Sequence, residues 1–427
     1  MSTEKGNKKI INAWTFYDWA NSAYPLVITA AIFPVFYENV TSTKVNGVVV
    51  SDTVRLFDVA FKNTELYSYI VALSFIIVSL SSPVLSGIAD YSGNKKRFMQ
   101  FFCYLGAFSC ASLFFFSPHH LGLGLLSILF ASVGFWGSLV FYNAYLPEIA
   151  EPVDHDRISA KGFSMGYIGS ALLLIVNLVL ITGFDMDARY SFVSVAVWWA
   201  GFAQFTFARL PVKQRSEKGK GNVILKGFKE LWHVWQELKH IKPLKRFLSS
   251  FFIYSMGVQT VMLMAVLFAK KEIKGMEDSN LIISVLLIQF LGVAGAFLFS
   301  RLSKRFGNIK ALGVAIFIWI IICVSTFLFV YTPTHFYIIA CSVGLVMGGI
   351  QSLSRSTYSK LLPETQDHAS YFSFYDVSEK IGIVIGMISF GFIEGVTGGM
   401  RNSILALIVF FVIGFVLLLS VPKSKNI

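Results

Sequence analysis

Along the 427 residues, twelve mostly apolar stretches alternate with polar breaks. They lie near 14–37, 66–89, 98–117, 121–147, 160–182, 190–210, 246–269, 280–300, 309–331, 335–360, 371–396 and 402–421. A helix needs roughly 20 apolar residues to cross hydrocarbon, so each stretch predicts one crossing. The expected fold class is an all-α membrane protein of twelve transmembrane helices. The first stretch carries Asp18 and many aromatics and leads to no small-residue cleavage site, which predicts a retained span rather than a cleaved leader. Residues 38–65 and 211–245, the two largest polar pieces, are too short to hold an enzyme domain with its own core. The first contains Val45-Asn46-Gly47-Val48, a hairpin signal that reads as a small lid or a plain loop. In the second, Leu225, Phe228, Trp232, Trp235 and Leu238 recur at helical spacing among Lys226, Lys229 and Lys239. Two readings of that piece stay open: an amphipathic helix on the inner leaflet, or a disordered basic linker.

Only 14% of the residues are charged, against about a quarter in soluble domains. The formal net charge of +12 raises nucleic acid as a partner, and the location of the charges argues against it. Of the 36 Lys and Arg, 27 fall in the termini and the loops on their side, 8 fall on the other side, and Lys380 lies within a span. That asymmetry predicts cytoplasmic termini, and the bilayer as the partner. The four cysteines (103, 110, 323, 341) show no metal-ligand or redox spacing and read as packing residues. No metal or cofactor is expected.

An internal repeat divides the chain. Gly87-Ile88-Ala89-Asp90-Tyr91-Ser92-Gly93-Asn94-Lys95-Lys96-Arg97 follows the second span, and Arg301-Leu302-Ser303-Lys304-Arg305-Phe306-Gly307-Asn308 follows the eighth, with Gly93 and Gly307 separated by 214 positions. Leu146-Pro147-Glu148 and Leu362-Pro363-Glu364 close the fourth and tenth spans at an offset of 216. Two parallel six-helix halves follow, expected at 1–210 and 246–427 with the linker 211–245 between them and a pathway on the axis that relates them. The segment starting at Gly87 resembles the loop signature of the major facilitator superfamily, Gly-x-x-x-Asp-x-x-Gly with basic residues after it. The resemblance implies a conformational latch at Gly87, Asp90, Gly93 and Arg97; Lys304 stands where the second copy would need the acid. Phe16-Tyr17-Asp18-Trp19-Ala20-Asn21-Ser22-Ala23-Tyr24, Gly348-Gly349-Ile350-Gln351-Ser352-Leu353-Ser354-Arg355-Ser356 and Phe374-Tyr375-Asp376 resemble the branch that includes the fungal autophagy-related vacuolar amino-acid effluxer. That branch implies a transporter, and less directly an amino-acid substrate, in a bacterial cytoplasmic membrane.

Ionisable groups within spans are the sharpest pointers, since burying one costs about 2.5–3.5 kcal/mol even on the lenient insertion scale. Asp18 shares a helix face with Asn21 and Ser22; it reads as a substrate-amine or proton site, or as the structural partner of a base in the other half. Asp376, Glu379 and Lys380 sit one turn apart. Lys380 neutralises only one acid, which makes Glu379 the first candidate for a coupling proton, together with Asp18 and Asp376; the alternative is a latch between helices. By family analogy helices one, four, seven and ten line the cavity, which adds Tyr24, Asn143, Gln351 and Arg355 to Asp18 and Asn21 as substrate-binding candidates. Arg355 then takes a substrate carboxylate, or it snorkels to the inner leaflet. Trp136, Tyr142, Tyr254 and Gln259 are further lining candidates. No G-x-x-x-x-G-K-[ST] occurs, which excludes a phosphate-binding loop and ATP drive on this chain. The expected function is a monomeric secondary transporter of a small solute, with proton coupling as one option. A receptor or scaffold on the same fold and an amphiphile flippase are the alternatives.

Overall fold

The computed structural model describes residues 5–45, 48–56, 59–212 and 223–422. Among them are twelve helices long and apolar enough to cross a membrane. Six run from Lys8–Thr41 to Arg189–Arg209 and six from Lys242–Glu272 to Met400–Leu419, matching the twelve stretches read from the sequence. An even number of crossings brings both chain ends to one face of the bundle, called here the terminal face.

The first span is not a uniform α-helix. Lys8–Asn21 is α-helical, Tyr24–Ile32 widens to a π-helix, and Phe33–Thr41 returns to α. Pro25 and Pro34 have no N–H to donate and their rings crowd the preceding turn, so the ladder changes register there. Asp18 lies on the last regular turns before the first change.

The second span packs on the eleventh, and the fifth packs on the eighth and tenth. Adding six to each number carries the second-eleventh contact onto the eighth-fifth contact, as a parallel twofold requires. Within a half, glycines bring backbones together: a Cβ on Gly348 of the tenth span would collide with the Gly292 carbonyl of the eighth, and one on Gly134 would collide with Gly106. Close approach of this kind replaces the hydrophobic drive that lipid does not supply.

On the face opposite the termini, Thr43–Val45 pairs with Val48–Ser51 and Thr53–Leu56 with Val59–Lys62. The predicted Asn46-Gly47 turn lies outside the described residues, between strands that meet at Val45 and Val48. Asn63 ties the base of this piece to the first span: its carbonyl accepts from the Tyr37 hydroxyl (2.9 Å) and its amide donates to Thr41 Oγ1 (3.0 Å).

The linker forms a helix, Val223–His240, as one of the two readings expects. Its inner side is held by protein. It packs along the second span and buries Val234 and Leu238, while Phe228 and Trp232 stay exposed; Leu225 and Lys226 have side chains outside the described set. Trp235 stacks on Phe374 (5.4 Å) and Glu237 accepts a hydrogen bond from Tyr371 (2.6 Å), both on the eleventh span. The helix is thus held at its C-terminal turns where the two halves meet, with Phe228 and Trp232 left facing outward.

Candidate functional site

Arg355 and Asp18 meet between the halves, both almost fully buried. The guanidinium NH1 and NH2 of Arg355 donate to Asp18 Oδ2 at 3.4 and 3.3 Å, and Tyr142 donates to the same oxygen at 2.7 Å. Arg355 Nε and NH2 donate to Ser159 Oγ (2.9 Å) and to the Ser159 carbonyl (3.0 Å), and NH1 reaches Asn143 Oδ1 (3.4 Å). Phe163, Trp14 and Tyr142 place their rings 4.2, 4.8 and 5.4 Å from the guanidinium carbon. Trp14 is fixed by stacking on Tyr142 at 4.5 Å and by donating its indole N–H to the Tyr142 carbonyl (2.8 Å). Arg355 therefore does not snorkel: it points into the opposite half, where every hydrogen bond it makes ends on an oxygen.

The second cluster is the triplet on the eleventh span. Lys380 Nζ binds Asp376 Oδ1 at 2.5 Å and Glu379 Oε2 at 3.1 Å, and lies 3.8 Å over the ring of Trp136 from the fourth span. Gln259 of the seventh span donates to Glu379 Oε1 (2.7 Å). Asp376 Oδ2 is buried without a hydrogen-bond partner among the described residues. Two carboxylates share one ammonium, and the cluster touches both halves.

Two more polar clusters sit near the terminal face. Asp90 accepts from the backbone N–H groups of Ala369 (3.3 Å) and Ser370 (2.6 Å), which open the eleventh helix and carry its positive dipole end. Lys95 bridges Asp90 (3.1 Å) and Glu148, and Glu148 also meets His368 (3.0 Å). Gly87 is buried in the second span, and Gly93 closes that span in the left-handed region, φ 70°, where glycine carries no Cβ penalty. The cation of this latch is Lys95; Arg97 is exposed and takes no hydrogen bond to it among the described residues.

The twofold-related position holds a polar cluster of reversed polarity. Lys304 does not replace Asp90; instead Asp156, which opens the fifth helix, accepts from Lys360 (2.6 Å), Ser303 (2.8 Å) and Asn308 (2.8 Å), all of the other half. Here the acid belongs to the start of the fifth helix, and the donors come from the ends of the eighth and tenth helices and the start of the ninth.

Of the other candidate residues, Gln351 accepts from Tyr167 of the fifth span (2.6 Å), which is another contact between halves. Asn21 is buried beside Ser22, with its amide nitrogen unpartnered among the described residues. Tyr24 departs from expectation: it turns into the interior of its own half, against Phe135 and Trp199 (5.3 and 5.9 Å), because six positions at 3.6 residues per turn carry it about 120° around the helix from Asp18. Trp14, Ser159, Phe163, Asp156 and Lys360 were not singled out by sequence reasoning. The charges of Asp156 and Lys360 sit at span ends, where they are indistinguishable from loop charges, and a serine or an aromatic within a span gives no signal against so many others.

Residues 6–427 match the family described as vacuole effluxer Atg22 like. The chain belongs to that family. An uncharacterised transporter of the major facilitator type, YxiO of Bacillus subtilis (strain 168), is 33% identical over 97% of this chain and 95% of its own length. Autophagy-related protein 22 of Yarrowia lipolytica is 24% identical over 87% of this chain and 78% of its own. Among solved structures, the human organic anion transporter MFSD10 (TM-score 0.72, 10% identity, 97% of this chain and 100% of that one) and the transporter FucP in its outward conformation (0.66, 13%, 98% and 99%) share the fold. This Atg22-like chain is thus a multi-pass membrane transporter of the major facilitator fold.

Proposed function

We propose that the protein moves a small zwitterionic solute, of the amino-acid class, out of the compartment bounded by its terminal face, acting as a monomer in a bacterial cytoplasmic membrane with both termini cytoplasmic. Alternating access proceeds by rocking of the two halves, and the charge pairs that join the halves near the terminal face support reading this state as closed on that side. The observation that carries this reading is the placement of the buried charge pairs. Asp18–Arg355, Asp90 with the eleventh helix start, and Asp156–Lys360 each join one half to the other, so each is made when this face closes and broken when it opens. Breaking Asp18–Arg355 leaves an acid on one wall and a base on the other, and a zwitterion satisfies both at once. The description of the matching family as an effluxer supports the direction.

The triplet supplies the coupling. Among the described residues its second carboxylate has no cation of its own, so a proton resting on Asp376 or Glu379 removes an uncompensated buried charge. Reconstituted protein tested by amino-acid counterflow and by pH-driven uptake decides the matter. Counterflow that persists in Asp376→Asn and Glu379→Gln while uphill movement is lost is the expected result. Absence of flux for every amino acid in either direction rejects the solute class, and uphill movement unaffected in both variants rejects the coupling site.

A further inference from the structure

The surroundings of Arg355 form a complete cation receptor, and all of it belongs to the opposite half. Asp18, Asn143 and Ser159 supply the acceptors and Trp14, Tyr142 and Phe163 the rings; these six side chains come from the first, fourth and fifth spans. A guanidinium has five donors in a planar fork and no acceptor, and here the fork meets a carboxylate oxygen, a hydroxyl, a carbonyl and an amide oxygen. Aromatic faces within about 6 Å add attraction for a desolvated cation. Space has been kept for this: a Cβ on Gly162 would lie 3.0 Å from Arg355 NH2 and would collide with Asp18 Oδ2. The glycine is therefore part of the socket, since alanine there would fill it.

We infer that this socket is a solute site for an organic cation, a guanidinium or an alkylammonium group, and that Arg355 is its built-in competitor. The inference rests on the proposed rocking of the halves only in requiring that Arg355 withdraw with its own half. When it withdraws, the socket faces the cytoplasm with its carboxylate uncompensated and its rings bare. A solute cation enters in its place, and on closing Arg355 returns and expels it. The same six side chains thus recognise solute in one state and close the path in the other. A neutral side chain or an anion finds no counterpart there, so the cationic end of the solute determines recognition.

The test uses purified full-length protein and methylguanidinium, methylammonium and potassium as chlorides at millimolar concentration, read by thermal stabilisation. Asp90→Asn weakens one latch and Lys360→Met the other, so either variant raises the population in which the socket is vacant. The half-saturating concentration of methylguanidinium should fall about tenfold in either latch variant relative to wild type, since apparent affinity scales with the competent fraction. Potassium should give no shift, and adding Gly162→Ala or Asp18→Asn should abolish the effect. Equal responses in wild type and both latch variants, or a response that survives Gly162→Ala, would overturn the assignment. If amino-acid flux is found in liposomes without any cation-selective shift, the socket fails and the transport reading stands. A Gly162-dependent shift without flux leaves the socket standing and removes the transport reading.

Discussion

Lys380 has no exposed side-chain surface, and its ammonium is shared by two carboxylates and the face of Trp136. Removing one partner of such a pair leaves an uncompensated charge where water cannot reach it, a cost of about 3–5 kcal/mol. Lys380→Met should therefore lower the thermal midpoint strongly, whereas Asp376→Asn, which leaves Lys380 bound to Glu379, should lower it much less. The double variant should recover part of the Lys380→Met loss; a double variant as unstable as Lys380→Met alone would show that packing, not charge, sets the cost. The Asp18–Arg355 pair follows a different rule, because the residues around Arg355 accept hydrogen bonds that a smaller side chain cannot make.

At the scale of helices, glycine decides where elements approach. The tenth span lies against the eighth with no room for a side chain at Gly348, where a Cβ would meet the Gly292 carbonyl, or at Gly295, where it would meet the Leu345 backbone. Gly348→Val should separate these helices and lower the yield of folded protein. Gly313→Ala is the matched control, since a Cβ there makes an ordinary 3.5 Å contact with Phe415 and gains helix propensity; its melting temperature should be unchanged or slightly higher. The linker helix is a further element with consequences. Its bond from Tyr371 to Glu237 and the Trp235–Phe374 stack tie it to the eleventh span while it runs along the second, so it straps the halves beside the Asp90 latch. Combining Tyr371→Phe with Trp235→Ala should speed hydrogen exchange in Val223–His240; exchange equal to that of wild type would show that the second span alone holds the helix.

At the scale of the whole molecule, two buried polar clusters of opposite polarity join the halves at one face, and in the proposed cycle they are its latches. Each acts on one of the two helix pairs exchanged by the twofold, so they share no side chain and their effects should add. In a background without native cysteines, a cysteine at Ser356, fully buried in this state, reports closure by its reaction with a membrane-impermeant maleimide applied from the terminal face. Asp90→Asn and Lys360→Met should each raise the labelling rate, and the pair should raise it by roughly the product of the two factors. Unchanged labelling in the double variant would mean that the Asp18–Arg355 pair alone keeps the face shut.

The twelve crossings, the two halves and the superfamily were legible in the chain itself, because the bilayer imposes a length and a polarity on each span and duplication leaves matching motifs at a fixed offset. The one-turn spacing of Asp376 and Lys380 also foretold their contact, since helical geometry is local. What the sequence could not decide was which groups meet across the interface between the halves. Asp18 and Arg355 are 337 positions apart, and their joining, like that of Asp156 with Lys360, depends on the angle at which two bundles close. The same holds for the latch cation, Lys95 and not Arg97, for the inward turn of Tyr24, and for Ser159, Phe163 and Gly162 around the guanidinium. These roles follow from tertiary packing, because a side chain acquires them only through neighbours brought from remote helices.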